Sequence, residues 1–366
     1  MTPDVLIVGG GIISGAVAYE LACAGAKVLI LERSQAGREA SWAAGGMLAP
    51  TSETFHDLPL LPFALESMLL YPDFLARVQN DSRIEVDYRT EGTLLIALNA
   101  AEAARLEQAA RMLASQKLAG QMLSGEEARQ LEPALAREVC SALLLPKDHQ
   151  VDNRRLTEAV FVAAQKRGAR LREGATVETI VVEHGRAVAV KTAGERVAAA
   201  KILVAAGCWS ATLGPECARL APTKPIRGQM LALKMARPCL SRVIRGAVYL
   251  VPGKHGRVVV GSTVEDVGFD KSTTPGALSR LRASAEEIVP RLREAEIAES
   301  WAGLRPDSPD HLPILGACDI ENLFLATGHY RNGILLAPAT ARAMVELILR
   351  GSSSIPIETF SPLRFR

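Results

Sequence analysis

The sequence predicts an α/β protein. A Rossmann-like nucleotide domain is assembled from three separated segments, and a second, strand-rich domain made of two insertions caps it. Three observations carry this reading. A strand, a glycine turn, a helix and a second strand fit into the first ~30 residues. Apolar strand patterns return near the middle, at 201–205, and near the C-terminus, at 323–326. The stretches between them are dominated by alternation and hairpin signals.

The first unit is the most explicit. Residues 4–8 form an apolar run that ends in Gly9-Gly10-Gly11. Small and apolar side chains then recur at helical spacing through Val17, Leu21 and Ala24 to Gly25, and 27–31 is a second strand ending at Glu32. Gly9-Gly10-Gly11-Ile12-Ile13-Ser14-Gly15 is close to G-x-G-x-x-G, with Ser14 in the sixth position. In such a loop the first glycine permits a tight turn and the second lets a pyrophosphate reach the backbone. The small sixth residue lets helix and sheet pack closely. Backbone N–H groups and the helix dipole then hold the phosphates. Glu32 stands 23 residues after Gly9, where a carboxylate takes a ribose hydroxyl and disfavours a 2′-phosphate. FAD and NAD satisfy these rules equally, so the loop does not choose between them.

Further along, 62–78 reads as a helix, 92–98 as a strand and 101–116 as an amphipathic helix. Ser124 and Glu127 make a capping box, and 143–146 closes the first insert. Residues 152–167 form a helix with Asn153 as its cap, followed by strands at 176–183, 187–192 and 201–205. The stretch 229–263 alternates like a strand, and 249–251 and 258–261 flank Gly253-Lys254-His255-Gly256, a hairpin signal. Residues 278–293 and 334–349 read as helices, and the tail SSSIPIETFSPLRFR has no periodicity. The nucleotide domain is thus expected at 1–87, 150–221 and 301–366, and the second domain at 88–149 and 222–300.

Composition narrows the function. Of the 366 residues, 48% are apolar and 22% charged, and 42 basic against 40 acidic side chains leave a net charge of +2. That balance argues against nucleic acid as a partner. No apolar run approaches the roughly 20 residues of a membrane helix, and the start MTPDVLIVGGG lacks the basic segment of a secretion signal. A cytoplasmic protein is expected. The six cysteines (23, 140, 208, 217, 239, 318) show no CxxC pair and read as small buried apolar residues. The six histidines (56, 149, 184, 255, 311, 329) show no metal spacing, and there is no G-x-S-x-G elbow.

GHYRNGILLAP (328–338) raises a separate question. It sets the charged Arg331 just before an apolar helix, as if entering the core. A buried guanidinium needs an anionic partner, from the protein or from a ligand. Asn332-Gly333 opens the same helix, and its first N–H groups are candidates for anion stabilisation.

Three stretches, SWAAGGMLAP (41–50), WAGLRPDSPDHLPILG (301–316) and GHYRNGILLAP, resemble the glycine-oxidase branch of the D-amino-acid oxidase family of FAD enzymes. KILVAAGCWS (201–210) and AVYLVPGKHGRVVVGSTVED (247–266) extend the resemblance over nearly the whole chain. It implies a Rossmann-like FAD-binding domain and an α+β substrate domain with a mainly antiparallel sheet. It also implies oxidative deamination of glycine, sarcosine or small D-amino acids, with dioxygen as acceptor and hydrogen peroxide as product, in supply of thiazole synthesis for thiamine. Gly9, Gly11, Ile12, Ile13, Glu32, Arg33, Ala40, Ser41, Gly45, Gly46 and Met47 match cofactor-contacting positions, as does Val177 beside the adenine. His329, Tyr330, Arg331, Asn332, Gly333, Ile334 and Leu335 match the stretch along the isoalloxazine. Tyr249, Arg305 and Arg331 match substrate-binding positions, with Met47 narrowing the pocket.

No acid or base is assigned, because the flavin N5 takes the hydride. Sarcosine oxidases carry a flavin-linking cysteine in the region equivalent to 297–316, and this chain has none there, which points to noncovalent FAD. The resemblance implies a homotetramer. Two other readings stay open: a D-amino-acid dehydrogenase that passes electrons to a quinone or carrier, and a noncatalytic flavin-binding subunit. For each arginine the plain alternative is a structural pair with Asp307 or Asp310.

Overall fold

Val5–Val8 is apolar at every position and buried at every position, which requires cover on both faces of its sheet. The structure, a computed structural model, describes residues 2–52 and 59–365. Val5–Val8 pairs in parallel with Val28–Leu31 on one side and Lys201–Val204 on the other. Arg170–Arg172 and Leu323–Thr327 extend the parallel sheet outward, and Ile314–Ala317 adds an antiparallel edge, six strands in all. The helices Ile12–Cys23, Leu61–Ser82, Asn153–Lys166 and Gly333–Arg350 share one apolar core with one face of this sheet. A three-stranded antiparallel sheet, Val177–Glu183, Arg186–Thr192 and Arg196–Ala198, covers the other.

A second sheet of eight strands stands beside the first. Its order is Glu296–Asp307, Lys224–Lys234, Arg257–Gly261, Tyr249–Pro252, Val243–Arg245, Thr93–Ala97, Ser141–Leu145 and Gln121–Ser124. All neighbours are antiparallel except Val243–Arg245 with Thr93–Ala97. The helix Pro275–Ile288 buries Leu281, Ala285 and Ile288 against one face. On the other face Met230, Ala232 and Trp301 pack against Ala43 of the short helix Ala40–Ala43. The fold is therefore mixed α/β, with one largely parallel and one largely antiparallel sheet.

Several local expectations change. Asp152, not Asn153, caps the helix Asn153–Lys166, its carboxylate accepting from Arg154 N and Arg155 N. Asn153 instead donates to Ser41 O at 2.7 Å and Trp42 O at 3.2 Å. The helix expected at 278–293 ends at Ile288, because Pro290 opens a separate 3-10 turn. The long strand Glu296–Asp307 was not expected, since its first half reads as exposed and polar; it runs past residue 301 and stays in the eight-stranded sheet to Asp307. Cys23 and Cys140 are exposed, contrary to the buried reading, while Cys208 and Cys217 are buried.

The aperiodic tail folds back as two 3-10 turns, Glu358–Phe360 and Pro362–Phe365. Phe360 is 2% exposed and its ring lies 5.1 Å from that of Phe63. Phe360→Ala is therefore expected to cost about 3–5 kcal/mol of stability, read as a lower urea midpoint with an unchanged slope. A midpoint equal to that of the parent protein would show the tail to be dispensable.

Candidate functional site

The glycine turn is built by a steric requirement. Gly9 has φ +107°, and a Cβ there would lie 2.6 Å from Ala205 O. Gly11 is different: a Cβ on it would meet nothing nearer than Ser41 Oγ at 3.4 Å, because the residue lines an open cavity. Ser14 is buried, and its hydroxyl reaches Ala205 O at 3.4 Å. The close packing between helices falls instead at Gly15, where a Cβ would come within 3.0 Å of Val160. Glu32 is 7% exposed and accepts from Gly10 N at 2.6 Å and Ser34 N at 2.9 Å. It pins the loop to the end of the second strand. A carboxylate offers about four acceptor sites, so capacity remains for a ribose hydroxyl.

From this loop a cavity of about 420 Å³ runs to the face of the eight-stranded sheet that carries Met230 and Tyr249. Arg33 stacks at 3.6 Å on the ring of Trp209 and pairs with Glu39 at 2.8 Å. Ser41 accepts from Ile12 N at 2.9 Å, tying the helix Ala40–Ala43 to the first turn of Ile12–Cys23. Ala40, Gly45, Gly46 and Met47 continue the wall, and Ile13 and Val177 line it near the loop. Gly46 has φ +79°, and a Cβ there would overlap the carbonyl of Val151.

The third wall is the start of Gly333–Arg350. Its N-cap Asn332 makes no side-chain capping bond, and Asn332, Gly333 and Ile334 line the cavity. The amides of that first turn thus face the cavity with no side-chain acceptor from the cap. His329 is 3% exposed, and its Nε2 lies 3.1 Å from Thr340 Oγ1. Burial lowers its pKa to about 3, so it is neutral around pH 7. Tyr330 stacks on His311 at 5.2 Å.

Arg331 stands at the mouth of the cavity and not in the core: it is exposed, 5.1 Å from the ring of Tyr330, because the helix begins two residues later. The side chain of Leu335, third residue of that helix, points into the core, where it is 1% exposed, so it is the backbone of Leu335 that belongs to the turn facing the cavity.

Arg305 and Tyr249 come from the eight-stranded sheet. Arg305 Nη1 donates to Thr263 O at 3.2 Å and Nη2 to Ser262 Oγ at 2.5 Å. Neither acid proposed as its structural partner takes it. Asp307 pairs with His311 at 2.7 Å and Asp310 with Arg364 at 2.7 Å. Among the described residues no carboxylate forms an ion pair with Arg305. Tyr249 presents its ring to the cavity across Gly45 and Gly261, with its hydroxyl 3.6 Å from Met230 Sδ. Trp209, Ser262 and Gly228 also line the cavity and were not singled out from the sequence. Trp209 lies in the 3-10 turn Gly207–Thr212 that follows the strand Lys201–Val204.

The residues present fit an FAD. An elongated cavity joins two helix N-termini, Gly11 leaves room that a side chain would fill, and Glu32 sits where a ribose is held. Among the described residues no group of His, Cys, Asp or Glu is arranged to hold a metal ion, and no helix is long and apolar enough to cross a membrane. His56 lies outside them.

Residues 4–347 match the family model described as FAD dependent oxidoreductase. The glycine oxidase of Geobacillus kaustophilus is 33% identical over 365 residues, covering 99% of this chain and 97% of that protein. The crystal structure of a glycine oxidase from Geobacillus kaustophilus aligns with a TM-score of 0.94 at 33% identity, over 98% of each chain. The bifunctional protein ThiO/ThiG of Synechocystis sp. is 38% identical across this whole chain, which spans about half (54%) of that relative's length.

Gly11→Val is expected to give folded but colourless protein, because its branch enters the phosphate end of the cavity. Gly9→Val is expected to fail earlier, at folding, since its Cβ meets backbone. A yellow Gly11→Val protein with normal flavin content would remove the loop from the cofactor site.

Proposed function

The chain belongs to the FAD dependent oxidoreductase family, and from that premise we propose that it oxidises glycine, or a similarly small amino acid such as sarcosine or a small D-amino acid. The products are the imine, which hydrolyses to glyoxylate and ammonia, and hydrogen peroxide; the biosynthetic use is thiazole formation for thiamine. One observation carries the substrate class: a guanidinium, Arg305, lines the cofactor cavity while both nearby acids are engaged elsewhere. An α-carboxylate is the complementary ion, and a planar fork binds it through two hydrogen bonds.

Bound FAD, held noncovalently, supplies a two-electron acceptor that dioxygen regenerates. Gly9, Gly11, Ile12, Glu32, Arg33 and Val177 would hold its nucleotide end, and His329 through Ile334 its ring end. The amides opening Gly333–Arg350 favour negative charge at that end. Arg305 fixes the substrate carboxylate, Tyr249 adds a phenolic hydrogen bond, and Arg331 lends positive charge at the mouth. His329 stays neutral and acts by position. Lys224–Lys234 and Glu296–Asp307 carry this clamp on paired strands, so its geometry is rigid.

The purified protein is expected to be yellow, to release FAD on acid precipitation, to bleach with glycine under argon and to regain colour in air with peroxide formed. Colour that returns only with a quinone or dye would replace the oxidase by a dehydrogenase. Arg305→Ala is expected to lower kcat/KM for glycine roughly 30- to 4,000-fold, from about 2–5 kcal/mol of unpaired charge. Arg305→Lys should lose less. Equal losses for glycine and for an amine lacking a carboxylate would make Arg305 scaffolding.

A further inference from the structure

The seat of Arg305 is as specific as its charge. Ile226 pairs with Arg305 across the two strands, so Gly228, two residues on, presents the same face diagonally beside it. The guanidinium lies on the backbone of Gly228: a Cβ there would fall 2.6 Å from Cζ and closer still to both Nη atoms. Ser262 Oγ and Thr263 O then take one N–H from each Nη. The segment that supplies them is itself pinned. Thr263 Oγ1 accepts from Gln229 N at 2.9 Å, and Arg227 and Glu265 exchange backbone bonds at 2.8 and 3.0 Å. The Arg227 side chain, 6% exposed, also pairs with the Glu265 carboxylate.

We propose that Gly228 and Ser262 are positioning residues for the substrate carboxylate, acting through Arg305: Gly228 by leaving room for the fork to lie flat, Ser262 by fixing its rotation. This rests on the carboxylate reading of Arg305 given above. A guanidinium has five N–H donors, and the seat occupies two, which leaves donors for a ligand, while both acceptors of the seat are neutral and add no negative charge. A carboxylate in place of Ser262 would hold the fork as well but cancel that charge.

Three flavin-loaded variants, Ser262→Ala, Ser262→Thr and Gly228→Ala, are compared with Arg305→Ala. Measured for each are KM and kcat for glycine, inhibition by acetate as an unreactive carboxylate, flavin content and melting temperature. Ser262→Ala is expected to raise KM and the acetate inhibition constant together, about 10-fold, as befits one lost bond to a charged group. The change in kcat should be much smaller, and Ser262→Thr should restore most of the loss. Gly228→Ala should approach Arg305→Ala, because the atoms nearest the added methyl are the guanidinium end of that side chain, which gives way before the strand backbone does. If both seat variants keep parental KM and acetate inhibition while Arg305→Ala loses them, the seat is overturned and the clamp stands. If Arg305→Ala also keeps them, the carboxylate reading falls and the seat with it. A loss that follows melting temperature or flavin content, with no rescue by threonine, would make Ser262 structural and overturn its role.

Discussion

A positive charge that no acid among the described residues answers organises this molecule's functional side. Burying or half-burying a guanidinium is costly unless its donors are met and its charge is answered. Here the donors are partly met by Ser262 and Thr263, and the charge is answered by no acid among the described residues. That arrangement survives because Arg305 sits on a long strand pair, Lys224–Lys234 with Glu296–Asp307, whose backbone bonds hold it regardless of what the side chain gains. The same pair brings Gly228 under the fork and Gly303 against Ala43, so one ladder serves both the clamp and the junction between the two sheets.

The junction is assembled from opposite chemistry at its two ends. Near the glycine loop it is polar and backbone-led: Glu32 on two amides, Ser41 on a third. Away from the cavity it is aromatic and ionic. Trp301 donates to Ala43 O at 3.0 Å, Trp42 crosses Trp301 at 5.9 Å, and Arg154 lies 3.6 Å over Trp42 while pairing with Glu299 at 2.9 Å. The short helix Ala40–Ala43 is therefore held from both sides, and four residues that have little helix stability alone keep one geometry. Its Ser41 and Ala40 face the cofactor cavity because of these distant contacts.

Much of this is legible in the sequence. The nucleotide unit was readable because its strands are apolar throughout and its glycines mark turns; local physics decides both. The hairpin around Gly253-Lys254-His255-Gly256 and the capping box at Ser124 are local in the same sense. Glu296–Asp307 was not legible, because what makes it a strand is a partner some seventy residues away. The place of Arg331 depends on where its helix starts. The apolar run that follows it is buried, but a helix that starts at Gly333 leaves the residue before its cap outside. Leu335 shows the limit of reading a motif as a block: in a helix, successive side chains face different ways, and only some of the stretch lines the cavity. Ser262 lies in a stretch that carries the resemblance but was given no role there, Gly228 lies in none of those stretches, and it is the register of the strands that brings them to Arg305.

The central claim is that the anion held beside the flavin is a carboxylate on Arg305. The most direct measurement is a crystal structure of the FAD-loaded protein soaked in acetate, refined against the same crystal without it. The account predicts one carboxylate in the cavity, within hydrogen-bond distance of the Arg305 guanidinium, with Ser262 and Thr263 keeping their bonds to the fork. Acetate bound to Arg331, or to Arg245, which also lines the cavity, with Arg305 turned away would contradict it.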